Sequence, residues 1–80
     1  MPTVLKDGPY RIFFYSNEAG ELPHVHVQRD RALAKFWLEP VAVARSHGFS
    51  PRELGRIVRL VEAHRERLLE RWHDFFGKAT

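Results

Sequence analysis

The sequence predicts an α+β domain, a small antiparallel β-sheet of four to five strands packed against one long C-terminal helix. Three observations carry that reading. β-branched and aromatic residues flank Asp7-Gly8, a strong hairpin signal, because glycine accepts a positive φ without steric cost. His24-Val25-His26-Val27-Gln28 alternates at period two, as a half-buried strand does. From Leu54 to Phe76 the apolar residues instead recur at helical period and fall on one stripe.

Thr3 to Lys6 and Tyr10 to Tyr15 form the arms of the first hairpin. Ser16 to Pro23 is polar and carries Gly20 and Pro23, which makes it a loop. The strand His24–Gln28 follows, then a turn at Arg29-Asp30-Arg31, then a returning strand Ala32–Leu38 that Pro40 ends. Val41–Arg45 is short and reads either as a fifth strand or as a helical turn. All strands thus lie within residues 3–45 of a single domain spanning 1–80.

The helix is bounded by its own punctuation. Ser50-Pro51-Arg52-Glu53 places Ser at the N-cap, Pro at the first helical position and Glu at the third. That is a capping box, in which hydroxyl and carboxylate satisfy backbone N–H groups reciprocally. Gly77 supplies a stop, so the helix covers 51–76. Leu54, Ile57, Val58, Val61, Leu68, Leu69, Trp72, Phe75 and Phe76 share a stripe about 120° wide. Arg65 interrupts it. A guanidinium there must either snorkel to the edge, pair with a carboxylate such as Glu39, or bind an anion. At ~1.5 Å per residue the helix runs about 39 Å, longer than strands of ~20 Å. Trp72, Phe75 and Phe76 are therefore expected to overhang the sheet as an exposed aromatic patch that another chain buries.

Composition limits the function classes. The 80 residues include no Cys, which rules out a disulfide and a thiolate metal site. At this length only about 60% of the unfolded surface is buried, so ten aromatics (six Phe, two Tyr, two Trp) must supply much of a thin core. No apolar run approaches the ~20 residues of a membrane span. The N-terminus lacks signal-peptide features, and a cytoplasmic location without membrane contact is expected. The net charge of +3 is small and evenly spread, with no basic block. Nucleic acid is a possible partner that charge alone does not establish.

The candidate chemistry centres on His24 and His26. Two apart on a strand, they share a face, opposite Val25 and Val27, with Cα atoms ~6.5–7 Å apart. Such imidazoles can share a metal ion, or bracket a phosphate as acid and base. No third metal ligand stands out close in sequence, so neither a metal nor another cofactor is assigned. Lys35 and Trp37 share a face of the next strand, and Arg11 or Tyr15 can join them. Arg11, Lys35 and Trp37 are thus the ligand-binding candidates, since cations and an aromatic plane suit RNA or a nucleotide phosphate. The bland alternative is a solvated face with packed imidazoles. His64 and His73 flank opposite sides of the helix stripe, and His47-Gly48 reads as a loop. There is no phosphate-binding Gly loop, nucleophile elbow or metalloprotease motif.

Taken together, Pro23-His24-Val25-His26-Val27, Ala34-Lys35-Phe36-Trp37-Leu38, Gly48-Phe49-Ser50, Glu53-Leu54 and Trp72-His73-Asp74-Phe75-Phe76 resemble the domain of unknown function 4160 family. Tyr10 to Ser16 resembles the opening segment of those small bacterial proteins. The resemblance implies a gene neighbour of the domain of unknown function 2442 family, and hence a two-protein, toxin–antitoxin-like module. Three functions compete. The first is a component of such a module acting through protein–protein contact, as a homo-oligomer or with a small partner from the neighbouring gene. The second is a ribonuclease-type toxin or phosphate/RNA-binding protein using the His24/His26 face. The third is a non-catalytic nucleic-acid-binding regulator. A non-enzymatic role is favoured, with catalysis left open.

Overall fold

Short turns between successive strands oblige neighbours in sequence to become neighbours in space. The computed structural model describes residues 3–18 and 20–77. Ala19 of the predicted loop, and the ends of the 1–80 domain span, lie outside the described residues. Strands β1 (Thr3–Asp7), β2 (Tyr10–Phe13), β3 (His24–Arg29), β4 (Ala32–Leu38) and β5 (Val41–His47) form an antiparallel meander in the order β1-β2-β3-β4-β5. Two-residue turns at Gly8-Pro9, Asp30-Arg31 and Glu39-Pro40 join all but β2 and β3. Asp30 takes φ 54° in its turn, a left-handed conformation that Asp tolerates better than most residues.

The inner face of the sheet carries Ile12, Val25, Val27, Ala34, Phe36 and Leu38, and two helical segments cover it. Helix α1 (Pro51–Ala63) contributes Ile57 and Val61, and α2 (Arg65–Phe76) contributes Leu68. Gly48 makes the turn from β5 into α1 possible on two counts. Its φ is 90°, and a Cβ there would stand 3.1 Å from both Cα and Cβ of Ala32.

The predicted single helix is corrected to two. The break is at His64 (φ −106°, ψ 8°), whose N–H is shared between the carbonyls of Leu60 and Val61 at 3.2 Å each. Polar ties to the sheet sit on either side of that point. His64 Nε2 lies 3.1 Å from Asp7 Oδ2, and Arg65 Nε donates to the Leu38 carbonyl at 2.8 Å. Arg65 also lies 3.6 Å from Glu39, so the residue that interrupts the stripe anchors α2 to the β4–β5 turn. The capping box forms by half. Ser50 Oγ accepts from the Glu53 N–H at 3.1 Å, but the Glu53 carboxylate turns to the sheet. There it accepts a forked pair from Arg29 at 2.6 and 2.8 Å and a bond from the Tyr10 hydroxyl at 2.8 Å.

The fifth element is a strand, longer than expected, and His47 ends it rather than lying in a loop. Strand β2 stops at Phe13 instead of Tyr15, which frees Phe14 to turn toward α2. Its ring lies 5.3 Å from Trp72, 5.4 Å from Phe75 and 5.3 Å from Phe76. The expected aromatic patch is thereby corrected. Trp72 is only 4% exposed and Phe76 is half-buried, while Phe75 alone remains 49% exposed. Among the described residues no helix is long and apolar enough to cross a membrane.

Two outcomes follow from this packing. Trp72→Ala should cost about 3–5 kcal/mol in urea unfolding of the isolated chain. Phe75→Ala should cost under about 1 kcal/mol, since half of that ring is already in water; equal costs would contradict the intramolecular cap. The second concerns pH. Hydrogen bonds from Arg29 and then Tyr10 hold the Glu53 carboxyl below its ordinary value near 4.5, against the opposing effect of burial. A pKa depressed by folding stabilises the fold above the unfolded value and is lost as pH falls through the folded one. Glu53→Gln should therefore lower the unfolding midpoint at pH 7 and flatten its decline below about pH 4.5.

Candidate functional site

The outer face of the sheet is fixed by strand register. His24 pairs with Trp37, His26 with Lys35 and Phe13, and Arg11 with Gln28. His24, His26, Lys35, Trp37 and Arg11 therefore share the face opposite Val25 and Val27. This face is not the open, half-solvated surface that alternation suggested. His24 is fully buried and His26 is 5% exposed. What covers them is the ten-residue connection from β2 to β3, which folds down over this end of the face.

Glu18 in that connection is the central residue, and it is 8% exposed. Its Oε1 accepts the Tyr15 N–H at 2.7 Å, and its Oε2 accepts from His26 Nε2 at 2.9 Å. His24 Nε2 lies 2.9 Å from the same Oε2, yet it has no hydrogen-bond partner. Burial alone would push the Glu18 carboxyl up. The bonds from His26 and the Tyr15 N–H, with His24 beside them, outweigh that and hold it below the usual carboxylate range. One donor atom from each of Glu18, His24 and His26 thus falls within 4.8 Å of the other two.

Aromatic rings wall this cluster. His24 meets Trp37 at 5.7 Å and Trp72 at 5.0 Å, at the end of β3. His26 stacks on Phe13 at 5.4 Å and meets Tyr15 edge-on at 4.9 Å. The remaining predicted residues divide. Lys35 donates to Glu21 Oε1 at 2.8 Å and sits 4.6 Å above the Trp37 ring. Arg11 donates to Gln28 at 3.0 Å and lies 4.5 Å over Phe13. His64 serves the helix break and belongs to no part of this face.

Beside the cluster, a cleft of about 400 Å³ opens on the same face, lined by Tyr15, His26, Arg31, Leu33, Ala34, Lys35, Arg45, Ser46 and His47. Among the described residues, no carboxylate lines it. His26 reaches it and His24 does not, so the two imidazoles are not placed to grip one ligand as an acid–base pair. At the other end of the face a smaller, mainly apolar hollow of about 210 Å³ is bordered by Leu22, Pro23, Trp37, Glu39, Pro40 and Ala42. Sequence reasoning missed Glu18, Arg31, Arg45 and His47. An acidic residue six positions before a His-x-His pair was the only signal for the first.

Fold and site together define a small α+β protein in which a meander sheet carries a buried carboxylate–bis-imidazole cluster at the rim of a cationic cleft. The chain belongs to the family described as domain of unknown function (DUF4160), which its residues 10–73 match. No curated protein and no solved structure matches it.

Replacing Glu18 by Ala strips His26 of its acceptor and the loop of its tie. The expected loss is about 2 kcal/mol, the scale of a hydrogen bond to a charged group. Hydrogen exchange at the Tyr15 amide should accelerate in that variant, and an unchanged rate would show that the carboxylate does not hold the loop.

Proposed function

We propose that this chain binds a phosphate-bearing polyanion, single-stranded RNA in the first instance, in the outer-face cleft, and that it does so without catalysis. The observation that carries the reading is the lining itself. Arg31, Lys35 and Arg45 join two imidazoles and the Tyr15 ring around one cleft, with no acidic side chain among the described lining residues. Cations beside an aromatic plane meet both parts of a nucleotide, the phosphate and the base. Lys35 is paired with Glu21 in the free protein, so a phosphate competes with a half-exposed carboxylate for it. The preference for binding over ribonuclease chemistry rests on His24, which is sealed from the cleft and could not complete an acid–base pair with His26.

A second reading has its own support. The hollow bordered by Leu22, Pro23, Trp37, Pro40 and Ala42 offers apolar surface on the same face, and Leu22 is 73% exposed. A small partner protein, encoded by the neighbouring gene in a two-protein, toxin–antitoxin-like module, would dock there and control access to the cleft. Co-purification with that neighbour, abolished by Leu22→Glu and not by Arg45→Ala, is the outcome this reading requires.

The RNA reading is tested by fluorescence anisotropy with a labelled single-stranded oligonucleotide. Arg45→Ala, an exposed change on an edge strand, should weaken binding across sequences. It should also reduce the slope of log K against log salt by about 0.7. Identical slopes for wild type and variant would remove Arg45 from the contact and sink the cleft assignment.

A further inference from the structure

We propose that Glu18, His24 and His26 form a site for one divalent first-row metal ion of the zinc class. His24 buries a lone pair that nothing takes up. His24 Nδ1 lies 2.8 Å from the Leu22 carbonyl, which can only accept, so Nδ1 carries the ring proton. The neutral ring then has a bare Nε2, and this atom is fully buried, lacks any hydrogen-bond partner and faces Glu18 Oε2 at 2.9 Å. Two electron-rich atoms at that separation repel each other unless positive charge stands with them.

A proton on Nε2 is one source of that charge, and a metal ion is the other. Orientation separates them. A proton shared between Nε2 and Oε2 would give a hydrogen bond, and at 2.9 Å from Oε2 His24 Nε2 makes none. Ligands of one metal ion point instead at a third place, off the line between them. The donor set of two imidazoles and one carboxylate suits this metal class and leaves a further coordination position. Bonds of ~2.0–2.1 Å in tetrahedral array separate ligand atoms by about 3.3 Å, so the two 2.9 Å spacings to Oε2 need to open by less than about half an ångström, and the two imidazole nitrogens, within 4.8 Å of each other, need to come to that same spacing.

The supporting contacts are those a ligand set needs. The Leu22 carbonyl fixes the His24 tautomer, and the Tyr15 N–H holds the second oxygen of Glu18, leaving Oε2 to coordinate as a single donor. His26 presents Nε2 to the same point, and on binding it moves its proton from Nε2 to Nδ1, so no net proton is lost. Trp37, Trp72 and Phe13 exclude bulk water around the rings, which lowers the local dielectric and strengthens the attraction between cation and carboxylate.

The test uses the 80-residue chain, stripped with chelator and shown to remain folded. Titration with Co²⁺ should produce visible absorption of tetrahedral or five-coordinate type, saturating at one equivalent per chain. Zn²⁺ should displace it and shift the Nε2 nitrogen resonances of both His24 and His26. Glu18→Gln should reduce the affinity by more than the about 10–100-fold that loss of a supporting contact costs. The wild-type resonances carry the decision if that variant fails to fold. Absent Co²⁺ bands with unmoved His24 and His26 resonances overturn the site, as do shifts confined to His47, His64 or His73.

Discussion

Ten residues separate β2 from β3, and apart from the Pro23 carbonyl, which accepts the Leu38 N–H at 3.1 Å, no backbone ladder holds the described ones to the sheet. A buried carboxylate does so instead. Removing a charged carboxylate from water is costly unless its lone pairs are taken up, and Glu18 meets that demand through the Tyr15 N–H and the His26 ring. The loop therefore cannot settle unless the imidazoles are in place to receive it, and the imidazoles are not buried until it settles. Burial of Glu18 and His26 and the Tyr15 side of the cleft rest on that mutual contact, while Trp37 and Trp72 wall His24 from β4 and α2. Glu21 adds a second tie through Lys35, nearer solvent and correspondingly weaker.

Polar contacts also set how the helices lie on the inner face. An apolar stripe is non-directional and would tolerate sliding along the sheet. Arg29 and Tyr10 fork onto Glu53 at the start of α1, while Asp7 and the Leu38 carbonyl receive His64 and Arg65 at the break. These bonds are directional and fix the register at two places. Past the second, the chain needs a cover for its last aromatics, and Phe14 supplies it. The two solutions are linked through one short stretch of chain. Phe13 ends β2 on the outer face against His26, and Phe14 follows on the inner side against Trp72.

Much of the fold was legible because periodicity and punctuation are local. Asp7-Gly8, the alternation at His24–Val27, the Ser50-Pro51 start and the stripe from Leu54 to Phe76 each state their structure within a few residues. The helix break was not legible, since it accompanies long-range bonds from His64 and Arg65 to strands distant in sequence. The site was half legible. Strand parity paired His24 with His26 and, separately, Lys35 with Trp37, and the register joins the two pairs on one face. Parity could not disclose burial, because the cover is a loop whose geometry no repeat encodes. Glu18 was therefore read as one polar loop residue among several. The aromatic ending of the helix was misread for a related reason. A stripe identifies what must be covered, while the residue that covers it, here Phe14, sits sixty residues away.

The cleft depends on a further feature that sequence alone conceals. With strict alternation along β5, Val41, Val43, Arg45 and His47 would share one face. Strand β5 instead pairs Val43 with Phe36 and Arg45 with Lys35, so Ala44 is an extra residue and the parity reverses there. Val41 and Val43 stay on the side of Phe36 and Leu38, whereas Arg45 and His47 turn to the outer face beside Lys35 and Leu33. One inserted residue thus lets a single strand turn Val41 and Val43 to the helix side of the sheet and its second half to the cleft. His26 completes the arrangement, since it lines that cleft while its Nε2 is held in the cluster behind. Any charge placed at Glu18, His24 and His26 lies one imidazole away from whatever the cleft holds. Cluster and cleft are therefore electrostatically coupled through a shared ring. A cation in the first would strengthen the attraction of the second for an anion.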